Sequence, residues 1–285
     1  MKQTPLTALQ TEARNPRTAQ LSAMKTGALL RAINREDRTV ARAVAHVIPV
    51  LTSLVDQAAL RLNAGGRLLY VGAGTSGRLG CLDASEIPPT YGVPARLVQG
   101  IVAGGARALR RSIEGAEDDG PAGVAAMARQ RVSSRDVVVG LSASGRARYV
   151  RAALAEARRR GALTAGITCN RNSLLAECVD VALVAETGPE AVAGSTRMKA
   201  GTAQKMILNM LSTALMVRLG RVQGNHMTHL QIKCEKLRER AALLVMSEAG
   251  VSRTKALLFL KKSGGSVHAA IQAAKSTHAA RVSVR

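Results

Sequence analysis

From about Ala19 to Asn63 apolar residues recur at helical spacing, first in "LSAMKTGALLRAI" and then in "VARAVAHVIPVLTSLVDQAALRL". Two helices are predicted, the second kinked at Pro49 and stopped at Gly65-Gly66. The pattern then changes. Short apolar runs bounded by turn residues, "RLLYVG", "ARLVQGIV", "DVVVGLS", "ALTAGITC" and "VDVALVAE", alternate with helical stretches. Five such runs predict an α/β fold, a doubly wound parallel five-stranded sheet covered on both faces. "MKAGTAQKMILNMLSTALMVRLG" reads as a long buried helix, and the chain from Asn225 onward as a small polar helical tail with "SGG" separating two short helices. The expected division is an N-terminal helical lead-in over 1–64, a sheet domain over 65–222 and a C-terminal helical region over 223–285.

Composition narrows the class. At 285 residues and 47% hydrophobic, the chain can fill a large core. The start, "MKQTPLTALQTEARNP", lacks an apolar leader core, and no stretch approaches the ~18 apolar residues of a membrane span, so a soluble cytoplasmic protein is expected. Cys81, Cys169, Cys178 and Cys234 form no C-x-x-C pair, which reads as reduced thiols. The net charge of +22 raises nucleic acid as a partner, but the basic residues are scattered and aromatics are only 1%, leaving little for bases to stack on. No specific nucleic-acid or membrane partner is expected, only a surface that attracts anions in general.

In an open parallel sheet, ligands bind beyond the carboxyl ends of the strands where strand order reverses. "LLYVGAGTSGRLG" places a glycine loop there. Gly72, Gly74 and Gly77 match G-x-G-x-x-G, but the second strand, "LVQGIV", ends without the acid that would hold a dinucleotide ribose, and no P-loop Gly-Lys-Ser/Thr follows. The loop does offer free backbone N–H groups, the Thr75 and Ser76 hydroxyls and a helix N-terminus, the parts of a phosphate cradle. The device recurs in "VVVGLSASGR", with Ser142, Ser144 and Gly145, and a third cluster joins Ser195 and Thr196 to Arg197 and Lys199. One such loop is an ordinary capped turn; three in one sheet predict an anion site.

No nucleophilic triad competes. His226 and His229 share helical spacing but lack acidic or cysteine ligands nearby, so no metal is expected. Carboxylates carry the remaining chemistry, in "LDASEIPP" with Asp83 and Glu86 and in "EGAEDD" with Glu114, Glu117, Asp118 and Asp119. Asp118 and Asp119 read as first-turn acids of the helix that follows. Glu86 precedes Pro88-Pro89, which predicts a rigid backbone near the glycine loop.

"GAGTSGRLGCLDASEIPPTYG", "IVAGG" with "EGAED", "VVVGLSASGR" and "TGPEAVAGSTRMKAGTAQK" closely resemble the N-acetylmuramic acid 6-phosphate etherases, members of the sugar isomerase (SIS) domain superfamily. The likeness runs from "TEARNP" to about "CEKLRER". It implies a flavodoxin-like SIS domain, a homodimer, and a bacterial cytoplasmic role in recycling cell-wall sugar. The implied reaction splits the D-lactyl ether of N-acetylmuramic acid 6-phosphate into N-acetylglucosamine 6-phosphate and D-lactate by β-elimination and hydration, without metal or redox cofactor. That chemistry needs one carboxylate as base and one protonated as acid. The resemblance puts the acid that releases lactate on Glu86 and the base at C2 on Glu117. It puts the 6-phosphate and sugar on Gly74, Thr75, Ser76, Gly77, Ser142, Ser144, Gly145 and Ser195.

The chain departs from the family pattern at "SGRARY", where Ala147 removes a hydroxyl that would cap the next helix or touch substrate. It departs again in "GNHMTHLQIKCEKL", at His226, His229 and Cys234. Two other functions fit a phosphosugar domain: a non-catalytic sensor resembling the glucokinase regulatory protein, which needs no acid pair, and an aldose–ketose isomerase, which also begins at C2. A SIS transcription regulator would need a helix-turn-helix, and the first 65 residues show no three-helix pattern.

Overall fold

A computed structural model describes residues 9–228 and 235–282. Three helices lead in: α1 (Thr26–Asp37), α2 (Val40–Ala45) and α3 (Ile48–Asn63). The expected kinked second helix is two helices. The chain bends by 56° at His46-Val47, and Pro49 sits in the first turn of α3, where a proline lacks only an N–H that has no helical partner.

The alternating region follows the sequence expectation. It comprises β1 (Leu68–Gly72), α4 (Gly74–Tyr91), β2 (Val98–Val102), α5 (Gly120–Arg129), β3 (Val137–Leu141), α6 (Arg148–Arg159), β4 (Leu163–Thr168), α7 (Leu174–Glu177) and β5 (Val181–Val184). The long helix is α8 (Lys199–Arg218). The five strands are parallel in the order β2-β1-β3-β4-β5, so the chain leaves β1 for one edge and returns through β3 to build the other. The order reverses between β1 and β3, whose last residues Gly72 and Leu141 are paired in register. A crevice is expected beyond those two strand ends.

Strand side chains alternate between faces, and the core follows. Leu69, Val71 and Val138 join Met127, Val150 and Leu154 of α5 and α6 in one buried cluster. Tyr70 and Leu141 point to the other face, where α4 lies so close that a Cβ on Gly80 would stand 2.9 Å from both. Beneath α4, buried Asp83 accepts hydrogen bonds from the Tyr70 hydroxyl (3.0 Å) and the Ser212 hydroxyl of α8 (3.2 Å). Burial pushes both the Asp83 carboxyl and the Tyr70 phenol up from their ordinary values.

By internal contacts the chain forms two compact units. One runs to Ser85 and resumes from Arg96 to Leu215; the other takes Glu86–Ala95 and continues from Met216. The second unit holds a short hairpin, β6 (Val222–Gln223) and β7 (His226–Met227), then α9 (Glu235–Ala249), α10 (Arg253–Lys262) and α11 (Val267–Val282). These helices are less polar than the sequence suggested. Val245, Ala256, Leu260, Val267 and Ile271 form an apolar core of their own.

The N-terminal segment is tied into the first unit by charge. Glu36 of α1, 1% exposed, accepts from Arg17 Nε (2.6 Å) and Nη2 (2.8 Å), Asn15 Nδ2 (2.8 Å) and Lys199 Nζ (2.9 Å). Arg17, then Lys199 and Asn15, outweigh burial and hold the Glu36 carboxyl down at about 2. Lys199 is itself 1% exposed. It was expected among the groups of an anion site; it is instead committed to Glu36. Glu190 accepts the N–H groups of Lys199 and Ala200, both at 2.9 Å, and so caps α8.

Candidate active site

The glycine loop owes its shape to close approach. A Cβ on Gly72 would meet Gly77 N at 2.6 Å, and one on Gly77 would meet Gly72 O at 2.7 Å, so both positions exclude a side chain. Gly74 is exposed, Thr75 is half-buried and Ser76 is buried. Ser76 Oγ donates to Gln204 Oε1 of α8 at 2.8 Å. The Gln204 amide nitrogen is buried and has no partner among the described residues. An amide turned end for end would donate to Ser76 and release the serine proton toward a ligand.

The serine loop follows β3. Gly145 (φ +71°) faces Ser173, whose Cβ lies 2.3 Å from where a Gly145 Cβ would stand, so only glycine fits. Ser142 is buried, and Ser144 Oγ accepts from Arg146 N at 3.3 Å. Asn170 Nδ2 braces the loop by donating to Ala143 O at 3.0 Å. Ala147 stands at the N-cap of α6 and makes no side-chain cap there. The hydroxyl missing at this position is therefore a cap the helix lacks.

A chain of contacts brings the third cluster in. Gly194 N donates to Thr11 O (3.2 Å), while Asn170 Nδ2 also donates to Thr11 Oγ1 (3.1 Å). The Ser195 loop and the serine loop are thus held by one N-terminal residue. At the other end the Thr75 methyl carbon lies 3.6 Å from where a Cβ on Gly201 would stand, beside the start of α8. Glycine loop, serine loop and Ser195 loop therefore belong to one bonded assembly in the first unit. Periodicity did not mark Thr11, Asn170 and Gln204; Thr11 and Gln204 fall in strings that carry the resemblance, and Asn170 only follows the apolar run "ALTAGITC".

Glu117, exposed in the one-turn helix Ala116–Asp118, stands on the walls of two clefts. One, about 200 Å³, includes Gly74, Arg78 and Ser112; the other, about 230 Å³, includes Ser144, Arg146, Arg148 and Arg151. Asp119 accepts from Ala122 N at 2.9 Å and caps α5, as expected of a first-turn acid. Glu86 is exposed on α4 at the opening of the Glu86–Ala95 segment of the second unit. The backbone around it is helical, with Pro88 and Pro89 in the final turn of α4.

Two family models match: the glucokinase regulatory protein N-terminal SIS domain over residues 47–158 and the SIS domain over residues 117–214. A protein of Symbiobacterium thermophilum named N-acetylmuramic acid 6-phosphate etherase is 53% identical over 268 residues, 94% of this chain and 89% of its own. The chain belongs to the N-acetylmuramic acid 6-phosphate etherase family. Etherases of that name from Jannaschia sp. (48% identical, 94% of this chain and 85% of the relative) and Serratia proteamaculans (49%, 93% and 90%) agree.

Solved structures match the etherase fold at low identity. A phosphoheptose isomerase from Neisseria gonorrhoeae has a TM-score of 0.51 at 14% identity, over 67% of this chain and 98% of its own. An Escherichia coli protein in complex with A5P has a TM-score of 0.50 at 19% identity, over 71% and 97%. The SIS-type sheet of the etherase family is thus the fold observed here.

Other features of this etherase chain are quiet. Among the described residues no group of three or more His, Cys, Asp or Glu could hold a metal ion, and no single helix is long and apolar enough to cross a membrane. His226 Nε2 lies 3.9 Å from Glu248 Oε1; His229 and Cys234 lie outside the described residues. Burial raises the thiols of Cys81 and Cys178, and that of Cys169 to about 12.

Proposed function

We propose that the protein cleaves the D-lactyl ether of N-acetylmuramic acid 6-phosphate, giving N-acetylglucosamine 6-phosphate and D-lactate. The observation that carries the reading is the position of Glu117, a carboxylate on two clefts that reach the glycine loop on one side and the serine loop on the other. The family relationship supports it.

An ether resists direct hydrolysis near neutral pH, but the ring-opened sugar has a C1 aldehyde that acidifies the C2 proton. Glu117 takes that proton. The electron pair left on C2 forms the C2–C3 double bond as the C3–O bond breaks, and Glu86 protonates the departing lactate oxygen. Water then gives one proton to Glu86 and adds its hydroxyl to C3, while Glu117 delivers a proton to C2. No electrons leave the substrate, so no redox cofactor is called for, and the adjacent aldehyde supplies the activation that a metal would otherwise give. Glu117 and Glu86 divide the labour of base and acid.

The backbone N–H groups of Gly74, Thr75 and Ser76, with the Thr75 and Ser76 hydroxyls, receive the 6-phosphate at the start of α4, while Gly77, whose N–H donates to Ala73 O at 3.1 Å, lets the loop close tightly around it. Ser142, Ser144, Gly145 and Ser195 hold the sugar. Residues 65–222 serve as the phosphosugar-binding part, 1–64 brace it and 223–285 form the C-terminal region. The protein works as a cytoplasmic homodimer in the recycling of cell-wall amino sugar, with no nucleic-acid or membrane partner.

The test is D-lactate release from N-acetylmuramic acid 6-phosphate in deuterated water. Wild type should release lactate and place deuterium at C2 of the product. Glu86→Ala should stop release while C2 exchange continues, and Glu117→Ala should stop both. A wild type that binds the substrate and releases no lactate would sink the etherase reading in favour of a sensor.

A further inference from the structure

The substrate of the proposed reaction carries two anions, and the loops described so far account for one. A second anion, the lactyl carboxylate, hangs from the oxygen on C3, the atom next to the C2 proton that Glu117 removes. Whatever binds that carboxylate must therefore lie close to the atoms on which Glu117 and Glu86 act. Each of the two clefts on which Glu117 stands holds arginine. In the smaller one Arg78 is spent on the protein, Nε donating to Ala108 O at 2.9 Å and Nη2 to Arg111 O at 3.1 Å. In the larger one Arg151 is half-buried, and its Nε is sealed from solvent with no hydrogen-bond partner among the described residues. Arg148, one turn before it on α6, lines the same cleft and is exposed.

A guanidinium nitrogen buried without a partner is costly, and native proteins leave few of them without a reason; since Nε shows no surface to the cleft, a carboxylate there meets the guanidinium at its two Nη atoms. A planar carboxylate suits the fork of an arginine better than it suits backbone N–H groups. The cleft also carries Glu12, Glu117 and Asp118, so its charge is mixed. It is thus suited to a single carboxylate more than to a phosphate dianion, which would lie close to three acids.

We propose that Arg151, assisted by Arg148, binds the lactyl carboxylate and makes the enzyme select 3-O-substituents that bear one. The inference rests on the etherase reading and names a specificity residue for it. Arg151 touches the leaving group and transfers no proton. With the carboxylate bound, the lactate oxygen is held in one orientation, and the C3–O bond lies along a fixed direction relative to Glu117.

The test compares N-acetylmuramic acid 6-phosphate with its lactamide analogue, in which CONH2 replaces the carboxylate at nearly the same size. Wild type should favour the acid in kcat/KM by roughly 10- to 150-fold, the range expected for a lost charge-assisted hydrogen bond. Arg151→Met should bring that preference down to about 3-fold or less, and Arg148→Ala should lower it in part. Equal losses on both compounds in Arg151→Met would overturn the proposal, because a residue that held the phosphate or only the fold would not distinguish them. Wild type alone gives a reading that needs no variant to fold: equal kcat/KM for acid and amide also overturns it. If wild type cleaves neither compound, the etherase reading itself falls, and this inference with it.

Discussion

Replacing Glu36 by glutamine removes one negative charge from a site shared with Lys199 and Arg17 while keeping nearly the same shape. Lys199 is then left buried without its ion-pair partner, though Glu190 still lies nearby, and breaking a buried pair in this way costs up to about 3–5 kcal/mol in other proteins. The carboxyl's own titration gives a similar figure. Its fall from 4.5 to about 2 is roughly 2.5 pH units, or about 3 kcal/mol of preference for the ionised form in the folded state. Because the folded value is depressed, this stability is complete above about pH 4.5 and disappears as pH falls toward 2. Urea denaturation followed by circular dichroism at pH 7 should therefore show Glu36→Gln less stable by about 3–5 kcal/mol. Lys199→Met should cost less, since Arg17 and Asn15 still satisfy the carboxylate. Combining Lys199→Met with Glu36→Leu should recover part of the loss, because no buried charge then lacks a partner. Between pH 5 and pH 3 the wild type should lose more stability than Glu36→Gln does. A Glu36→Gln cost below about 1 kcal/mol, or parallel acid profiles for the two proteins, would refute the assignment of a tight buried pair.

Gly145→Ala must place a methyl group in the side chain of Ser173 at a positive φ; we expect at least ~2 kcal/mol of destabilisation and weaker product binding, checked by thermal melts with and without N-acetylglucosamine 6-phosphate. Gln204→Ala removes the partner that orients Ser76, and calorimetry with the same product should show affinity reduced roughly 10-fold. Cys169, whose thiol is raised to about 12, should resist iodoacetamide at pH 8 in the native protein and react after unfolding, as read by peptide mass spectrometry.

Periodicity and turn chemistry carried the sheet: all five apolar runs are strands, and "MKAGTAQKMILNMLSTALMVRLG" is a helix from Lys199 to Arg218. These are local signals, readable within a dozen residues. What escaped was set by partners far along the chain. Nothing near Glu36 announces that it meets residue 199, and a lysine beside Ser195 and Thr196 reads as an anion ligand until its partner is known. The same holds for Ser76, whose hydroxyl faces Gln204, and for Thr11 and Asn170, which tie two loops together from 159 residues apart. Local signals also misled where two of them conflicted. Pro49 suggested a kink inside a helix and marks the beginning of one, and Pro88-Pro89, which suggested only a rigid backbone, lie in a final helical turn. For the candidate site, the glycine and serine loops were visible as motifs. The arginine cleft was not, because its residues come from separate segments and only folding puts them on a common wall.

The N-terminal clamp bears on how the protein is made. Thr11, Asn15 and Arg17 leave the ribosome early, yet Asn170, Pro189 and Lys199, which hold them and Glu36 in place, emerge more than 150 residues later. At roughly 5–20 residues per second, the early segment waits on the order of ten seconds or more for its contacts. Until then the loops that need Thr11 have no brace, so a nascent chain with a complete β1–β3 sheet would still lack a finished site. Such long-range closure also predicts slow refolding in vitro, since loop entropy must be overcome before these bonds can form.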